Sequence, residues 1–432
     1  MHASSNFKTT PYWWEEAPLS DINPNGKDLP KESEFVIVGG GFTGLSAALT
    51  LARAGEQVTI LEAQRFGEGA SSRNGGICSG NLKPSLETLV NIYGMDFAKK
   101  IYEEGVLARK FLADLIEEED IDCDFKMVGR FSGANHPSHY DKLARESDYL
   151  NEKINLGSYM VSKQDQHDEI GSDLYFGGAV REDIGGLHPA KFHKGLLDRV
   201  KEAEVSLHSQ IKVNEIVQNT SGCLVKTSYG DIKASKVIVG TNGYSNLSSM
   251  NWMARRIIPI RSQIIATEEM AEHVIDKLFP KRRMHGTTLN LYNYFRPAPN
   301  GKGIIFGGRS GADRDDPVRS GQHLYKQLID IFPEIDGVKI SHTWSGYTGY
   351  TFDHMPHIKQ QRDIVYAGGY CGSGVVWAPW VGTKTALMLL GSSESKTTFS
   401  KSDFETRPLY KGTPWFVPPI IWWYAIKDKF GW

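Results

Sequence analysis

Residues 35–62 read FVIVGGGFTGLSAALTLARAGEQVTILE. An apolar run, Phe35 to Val38, ends at Gly39, and glycines recur at Gly41 and Gly44 in the G-x-G-x-x-G spacing. Helical apolar spacing follows through Leu45, Ala48, Leu49 and Leu51. A second apolar run, Val58 to Leu61, ends at Glu62. The order strand, tight turn, helix, strand, acid is that of a dinucleotide-binding unit, and each part has a physical reason. The first glycine permits the turn, the second lets backbone approach a pyrophosphate, and the third lets the helix lie close on the strand. The helix N-terminus offers N–H groups and a partial positive charge to phosphates. A carboxylate about 20 residues on can bind a ribose hydroxyl, and it disfavours a 2′-phosphate.

Outward from this stretch, 432 residues are too many for one ordinary core, so two domains are expected. With 40% hydrophobic and 23% charged residues, the composition is that of a globular chain. A net charge of −2 implies no general attraction to nucleic acid or to acidic membranes. Cys78, Cys123, Cys223 and Cys371 are scattered, with no C-x-x-C pair, so neither a zinc site nor a disulfide framework is expected. His354 and His357 are separated by Pro356, which argues against a helical ligand pair, and no metal site is expected. The polar start MHASSNFKTT carries no apolar signal run, and no stretch is long and apolar enough to span a bilayer. The expected location is cytoplasmic.

Along the chain, Pro11, Pro24 and Pro30 mark residues 1–32 as an extended lead-in. Helical periodicity covers 85–121, a helix follows His188-Pro189, and strand-like alternation covers 211–240. Residues 255–310 read as strands of a second sheet with a helix near 270–278, and a helix is expected over Thr383 to Leu390. The domain expectation is a discontinuous nucleotide-binding domain (33–90, 186–246, 344–400) and a substrate domain (91–185, 247–343). A tail, 401–432, follows.

The second informative stretch is Gly69-Ala70-Ser71-Ser72-Arg73-Asn74-Gly75-Gly76, after Glu62-Ala63. This pattern resembles the D-amino-acid oxidase and glycine oxidase superfamily of FAD enzymes, most of all the gamma-glutamylputrescine oxidase group. The likeness continues through Ile121-Asp122-Cys123-Asp124, Thr241-Asn242-Gly243-Tyr244, Tyr294-Phe295-Arg296, Gly369-Tyr370-Cys371-Gly372-Ser373-Gly374-Val375 and the tail Trp423-Tyr424-Ala425-Ile426-Lys427-Asp428-Lys429. It implies an α/β fold: a Rossmann-like FAD-binding domain of the glutathione reductase/p-hydroxybenzoate hydroxylase type with an inserted antiparallel-sheet α+β substrate domain. It also implies hydride transfer from the carbon beside an amine nitrogen to flavin N5, then hydrolysis of the imine to an aldehyde plus an amine or ammonia, with oxygen reduced to hydrogen peroxide.

The expected FAD contacts are Gly39, Gly41, Phe42, Thr43 and Gly44 in the first turn, then Glu62 and Ala63. Ala70, Ser71, Arg73, Asn74, Gly75 and Gly76 follow, with Val213, Asn242, Gly243 and Gly346, and finally Gly372, Ser373, Gly374 and Val375. Small residues and backbone amides at 70–76 suit close approach to a diphosphate and a ring. In the superfamily the helix opened by Gly372 to Val375 aims its positive end at the flavin's pyrimidine side. The cysteine that holds flavin covalently in monomeric sarcosine oxidase would fall near 344–348, where no Cys stands, so FAD is expected to be non-covalent. The Lys that speeds oxygen use in that enzyme falls on Ile305, so fast use of oxygen is not implied.

The substrate side departs from the superfamily. The place of glycine oxidase's carboxylate-pairing Arg is Thr348, its second Arg falls on Gly372, and sarcosine oxidase's carboxylate-binding Lys falls on Val376. None of these replaces a bidentate charged contact, so a plain alpha-amino acid is disfavoured. The expectation is a small primary or secondary amine with a remote polar or anionic end, of gamma-glutamylputrescine, N-methylated or phosphonate type. Tyr294 and Arg296, which share a strand face by period two, are the first candidates for catalysis and substrate binding. Arg309, Thr348 and Trp344 join them as substrate contacts, with Ser373, where many relatives have His, as a third catalytic candidate. Trp377 is a candidate wall beside the flavin.

The tail stretch PWFVPPIIWWYAI, 414–426, is uncharged and would span roughly 20 Å as a helix, short of a bilayer, with Pro418-Pro419 breaking it. It is expected on the protein's own surface, with a subunit contact or shallow membrane contact as alternatives. Competing readings are a dehydrogenase feeding a quinone or carrier, a flavoprotein subunit of a larger complex, and an NAD-linked dehydrogenase.

Overall fold

The computed structural model describes residues 1–309, 316–400 and 402–431. Two sheets organise them. The first is built on Glu32–Val38, whose residues 35–38 are all buried, Phe35 and Ile37 against helices and Val36 and Val38 in a cluster with Val213, Val225 and Ile232, as a continuous apolar run in a strand covered on both faces. It pairs in parallel with Val58–Leu61 on one side and Gly230–Val239 on the other, and Val58–Leu61 pairs with Ser206–His208. The long strand Gly230–Val239 changes partners along its length. Its first half is antiparallel to Gly222–Thr227, and its second half is parallel to Ile364–Gly368. Segments far apart in sequence therefore complete one nucleotide-binding sheet.

The helix Phe42–Arg53 covers this sheet and lies against the late helix Gly374–Leu389. The approach is so close that a Cβ on Gly382 would stand 2.3 Å from the Thr43 carbonyl oxygen. The helix expected over 383–390 is thus the second half of a longer one, which tolerates Pro379 inside it.

The second sheet has nine strands in the order His2–Lys8, Lys339–Tyr350, Ile258–Thr267, Ile304–Gly308, Tyr294–Pro297, Met284–Thr287, Arg130–Gly133, Gly178–Arg181, Ser158–Val161. It is mainly antiparallel, but His2–Lys8 and Met284–Thr287 each make a parallel pairing. Its core gathers Phe131, Phe279, Phe295, Phe306 and Phe332 against Leu324 and Leu328 of the helix Pro317–Ile331.

Several boundaries differ from the sequence expectation. The lead-in carries an edge strand of the second sheet and then buries Trp13 completely. The strand Lys339–Tyr350 runs through the expected boundary at 344 and stays with the second sheet. The helix Met95–Glu118, expected in the substrate domain, shares a core with the nucleotide side through Ala98, Ile101, Ala108 and Leu112 against Val376 and Trp377. Pro418 and Pro419 do not break the tail. They occupy the first turn of the helix Val417–Phe430, where backbone N–H groups have no intrahelical partner. That helix buries no residue, and Trp422 and Trp423 are exposed. Asp428 ties it to the body by accepting from the Asn290 and Leu291 backbone N–H groups at 2.6 and 2.8 Å. No helix among the described residues is long and apolar enough to cross a membrane.

Candidate active site

The turn after Glu32–Val38 is made by Gly39 at φ +107°, and its N–H donates to the Leu61 carbonyl at 2.9 Å. A Cβ on Gly44 would stand 2.0 Å from the Gly39 carbonyl oxygen, so the helix start is pressed onto the turn. Glu62 accepts the Gly40 N–H at 2.8 Å through one oxygen and the Gln64 N–H at 2.9 Å through the other. Burial raises its carboxyl above the ordinary value, against the pull of those two N–H groups. Ser71 accepts the Phe42 N–H at 2.9 Å and so joins the 69–76 loop to the helix start.

A cavity of about 300 Å³ opens over this turn. Gly39, Gly41, Phe42 and Thr43 line it, with Glu62, Ala63, Ala70, Ser71 and Asn74. Val213, Asn242, Gly372, Gly374 and Val375 complete the expected contacts found on its wall. Gly44, Gly76 and Gly243 lie outside the lining, at places of close backbone approach. A second cavity, of about 320 Å³, holds Arg73, Gly75, Gly346 and Ser373 on its wall, together with Tyr294 and Arg309. The two cavities share Ala70, Asn74, Tyr347, Thr348, Gly372 and Val375. The N-terminus of the helix Gly374–Leu389 stands at this junction and brings a partial positive charge to it.

These residues fit a dinucleotide: a phosphate-sized approach at the glycine turn, a carboxylate for ribose, and a small-residue wall leading to a second compartment. Residues 34–388 match the family described as FAD dependent oxidoreductase, DAO. The chain belongs to this family. It is 30% identical over 407 residues to the "Gamma-glutamylputrescine oxidoreductase" of Escherichia coli (strain K12), covering 92% of this chain and 93% of that protein. It is 29% identical to the "Probable oxidoreductase OrdL" of Rhizobium meliloti (strain 1021), covering 97% of each chain. Its fold resembles glycine oxidase from Geobacillus kaustophilus at a TM-score of 0.74 and 18% identity, over 88% of this chain and 99% of that one. FAD is accordingly the cofactor, and the fold is the FAD-binding plus substrate-domain architecture of the DAO enzymes.

Within that family frame, the structure separates the sequence-picked substrate residues. Tyr294 lines the second cavity, its hydroxyl 3.1 Å from Ser262 Oγ, and burial pushes its phenol up to about 12. Thr348 sits at the junction of the cavities. Ser373 Oγ donates to the Asn81 carbonyl at 2.6 Å. Arg309 donates to the Tyr350 hydroxyl. Arg296 is corrected: it lies off the cavity lining. Its fully buried guanidinium donates to the carbonyls of Leu187, Pro297 and Gly76 at 2.8, 3.1 and 3.3 Å. It braces the 69–76 loop from below. Arg296→Lys is therefore expected to lower stability by about 1–3 kcal/mol, read by thermal melting, while leaving the amine KM unchanged. A raised KM with an unchanged melt would return Arg296 to the substrate site.

Trp344 is also corrected from substrate wall to loop brace. It is buried, and its Nε1 donates to the Arg73 carbonyl at 2.8 Å. Trp377 lies in the core edge-on to Phe399, not beside the cavities. Sequence reasoning passed over Trp13 and Trp14, whose ring N–H groups hold Asn74 and Ser72 at 2.8 and 2.7 Å. It also missed Arg130, Lys83, Asn81 and Tyr350 on the second cavity's wall. The adjacent Trp pair in the lead-in was the available signal for the first two. Nothing local marks the others. Cys371 lines the same cavity as a buried thiol that burial pushes up to about 12. Among the described residues, no His, Asp or Glu lines this cavity and no group of three metal-binding side chains occurs.

Proposed function

We infer that this enzyme oxidises the C–N bond of a small primary or secondary amine whose polar end is remote from that bond, as in gamma-glutamylputrescine, and not a free alpha-amino acid. One observation carries this reading. All six residues shared by the two cavities are uncharged, while Arg73, Lys83, Arg130, Arg261 and Arg309 line only the second cavity, and the Arg73 guanidinium is engaged by the carbonyls of Glu68 and Ser345. An alpha-amino acid needs a cation beside the reacting carbon to hold its carboxylate, and Thr348 and Gly372 offer none.

Bound FAD supplies the acceptor for the hydride leaving the carbon next to nitrogen. The chain's own residues position the amine and control its protonation. Cations on the wall, with no Asp, Glu or His lining it among the described residues, disfavour a bound ammonium and favour the neutral amine. The proton leaves to solvent before oxidation, and no side-chain base is required. Placing the reacting carbon at the junction is then the main contribution of the protein. The imine product is hydrolysed to an aldehyde plus an amine or ammonia, and oxygen reoxidises the enzyme to give hydrogen peroxide.

The test is an anaerobic amine panel followed by the flavin spectrum: gamma-glutamylputrescine, sarcosine, N-methylated and phosphonate amines, glycine and D-alanine. Bleaching by amines with remote polar ends is expected, with a rate that rises with pH until the free amine is neutral. Bleaching by glycine or D-alanine alone would overturn the reading. Air is then readmitted, and slow reoxidation would move the acceptor from oxygen to a quinone or carrier.

A further inference from the structure

We propose that Arg130 and Arg309, with Lys83 beside them, form an anion subsite that selects amines ending in a carboxylate or phosphonate at the end remote from the oxidised bond. The proposal rests on the amine-oxidising reading above and names the tail which that reading leaves as polar.

The two arginines arrive from distant strands. Arg130 opens the strand Arg130–Gly133, and Arg309 follows the strand Ile304–Gly308. Both guanidinium groups face tyrosines of the same cavity wall. Arg130 Nη2 donates to the Tyr292 hydroxyl at 2.6 Å and lies 5.4 Å from that ring's centroid. Arg309 donates to the Tyr350 hydroxyl and lies 4.9 Å from that ring's centroid. Tyr292 stacks on Tyr294 at 6.0 Å, so the Arg130 pair adjoins another residue of the same cavity wall.

The decisive contrast is with Arg283 and Arg109, which have carboxylate partners, and with Arg296, whose guanidinium is taken up by the Leu187, Pro297 and Gly76 carbonyls. Arg283 is paired with the buried Glu169 at 2.7 Å, and Arg109 is paired with Asp183. Arg130, Arg309 and Lys83 have no carboxylate within ion-pair distance among the described residues. The Nε of Arg130 is buried and finds no acceptor. Arg261 is left out of the subsite, since its Nε is engaged with Ser345 Oγ at 2.9 Å. Lys83 stands exposed at the rim of the cavity, where partial desolvation and then the charge of Arg309 push its pKa down, so it adds a nearby cation while the two arginines are the sheltered pair. Sheltered charges without a counter-ion are costly, and a phenol hydroxyl neutralises neither. An anion with two or three oxygens supplies the missing acceptors in bidentate geometry. A tail ending in an ammonium meets only repulsion there.

The experiment uses the flavin-loaded enzyme and amines of matched length: butylamine, 4-aminobutanoate, 3-aminopropylphosphonate and putrescine. Rates of anaerobic flavin bleaching give kcat/KM for reduction. The anionic-tailed amines are expected to exceed butylamine by at least about 100-fold, with putrescine slowest. Arg130→Met and Arg309→Met should each reduce the ratio of anionic-tailed over neutral-tailed kcat/KM by about tenfold or more. Tyr292→Phe, a milder change, should lower the ratio in the same direction and guards against a misfolded arginine variant. Preference for the phosphonate over the carboxylate identifies a dianion as the natural tail, and the reverse identifies a monoanion; both support the subsite. Equal rates for butylamine and the anionic amines, or a lead for putrescine, overturn it while leaving amine oxidation in place. If no amine bleaches the flavin, binding of glutarate and propylphosphonate is read by calorimetry. Binding that Arg130→Met weakens keeps the subsite and removes the amine reading, and absence of binding removes both.

Discussion

Gly44→Val is expected to yield a protein that purifies with little or no flavin. The added Cβ would meet the Gly39 carbonyl oxygen at 2.0 Å and Ile37 Cγ2 at 3.1 Å, and the first of these is backbone that cannot rotate aside. The helix Phe42–Arg53 must therefore lift from the strand Glu32–Val38. That movement displaces Gly41, Phe42 and Thr43, which line the nucleotide cavity. It also loosens Thr43 from the Tyr370 hydroxyl, 2.6 Å away, and from the late helix beyond it. Overpacking of this kind costs about 1–3 kcal/mol, and the misplaced turn adds a comparable loss in cofactor binding, about 100-fold in Kd. The measurement is the ratio of flavin to protein absorbance after purification, with FAD titration of the apoprotein. Full flavin content in Gly44→Val would refute the close-approach argument.

Glu104→Ala should be among the most destabilising single changes outside the cofactor site. Glu104 lies on the helix Met95–Glu118 with 6% exposure. It accepts from Trp380 Nε1 at 2.8 Å, from the Thr398 N–H at 2.7 Å and from the Thr397 hydroxyl. The side chain thereby clamps two helices and the 397–400 segment together. Alanine leaves three sheltered donors without an acceptor, a loss of about 3–5 kcal/mol. The melting temperature should fall by roughly 3–6 °C. Trp380 rides on the helix whose N-terminus stands at the cavity junction, so flavin affinity should weaken as well. Glu104→Gln keeps one carbonyl oxygen and should lie between. A melt of Glu104→Ala indistinguishable from the parent's would dismiss the clamp.

The nucleotide half of the site was legible because its parts are local. Gly39, Gly41, Gly44 and Glu62 act within one strand-turn-helix-strand unit, so spacing along the chain is spacing in the fold. The loop 70–76 was legible by resemblance, and Ala70, Ser71 and Asn74 line the nucleotide cavity. The substrate half was not. Period two correctly put Tyr294 and Arg296 on one strand face, but two residues along a strand is a step of about 7 Å. That step takes Arg296 past the cavity and under the Gly76 and Leu187 carbonyls. A sequence pattern reports which face a residue takes, not what stands opposite it.

The tail shows the same division. Two adjacent prolines read as a break, yet a helix can begin on them, and whether a helix follows depends on what anchors its far end. Here Asp428 supplies the anchor by capturing the Asn290 and Leu291 N–H groups, a contact across more than a hundred residues of chain.

By itself, then, the sequence determined the cofactor unit, the two-sheet class and the loss of charged residues at positions 348, 372 and 376. Each is a property of residue identity at short range or of resemblance over the whole chain. Only the tertiary structure decided which charges meet. Pairing of Arg130–Gly133 with Met284–Thr287, and of Tyr294–Pro297 with Ile304–Gly308, brings Arg130, Tyr292, Tyr294 and Arg309 onto one wall. Register between strands remote in sequence depends on the packed core beneath them, and no local pattern encodes it.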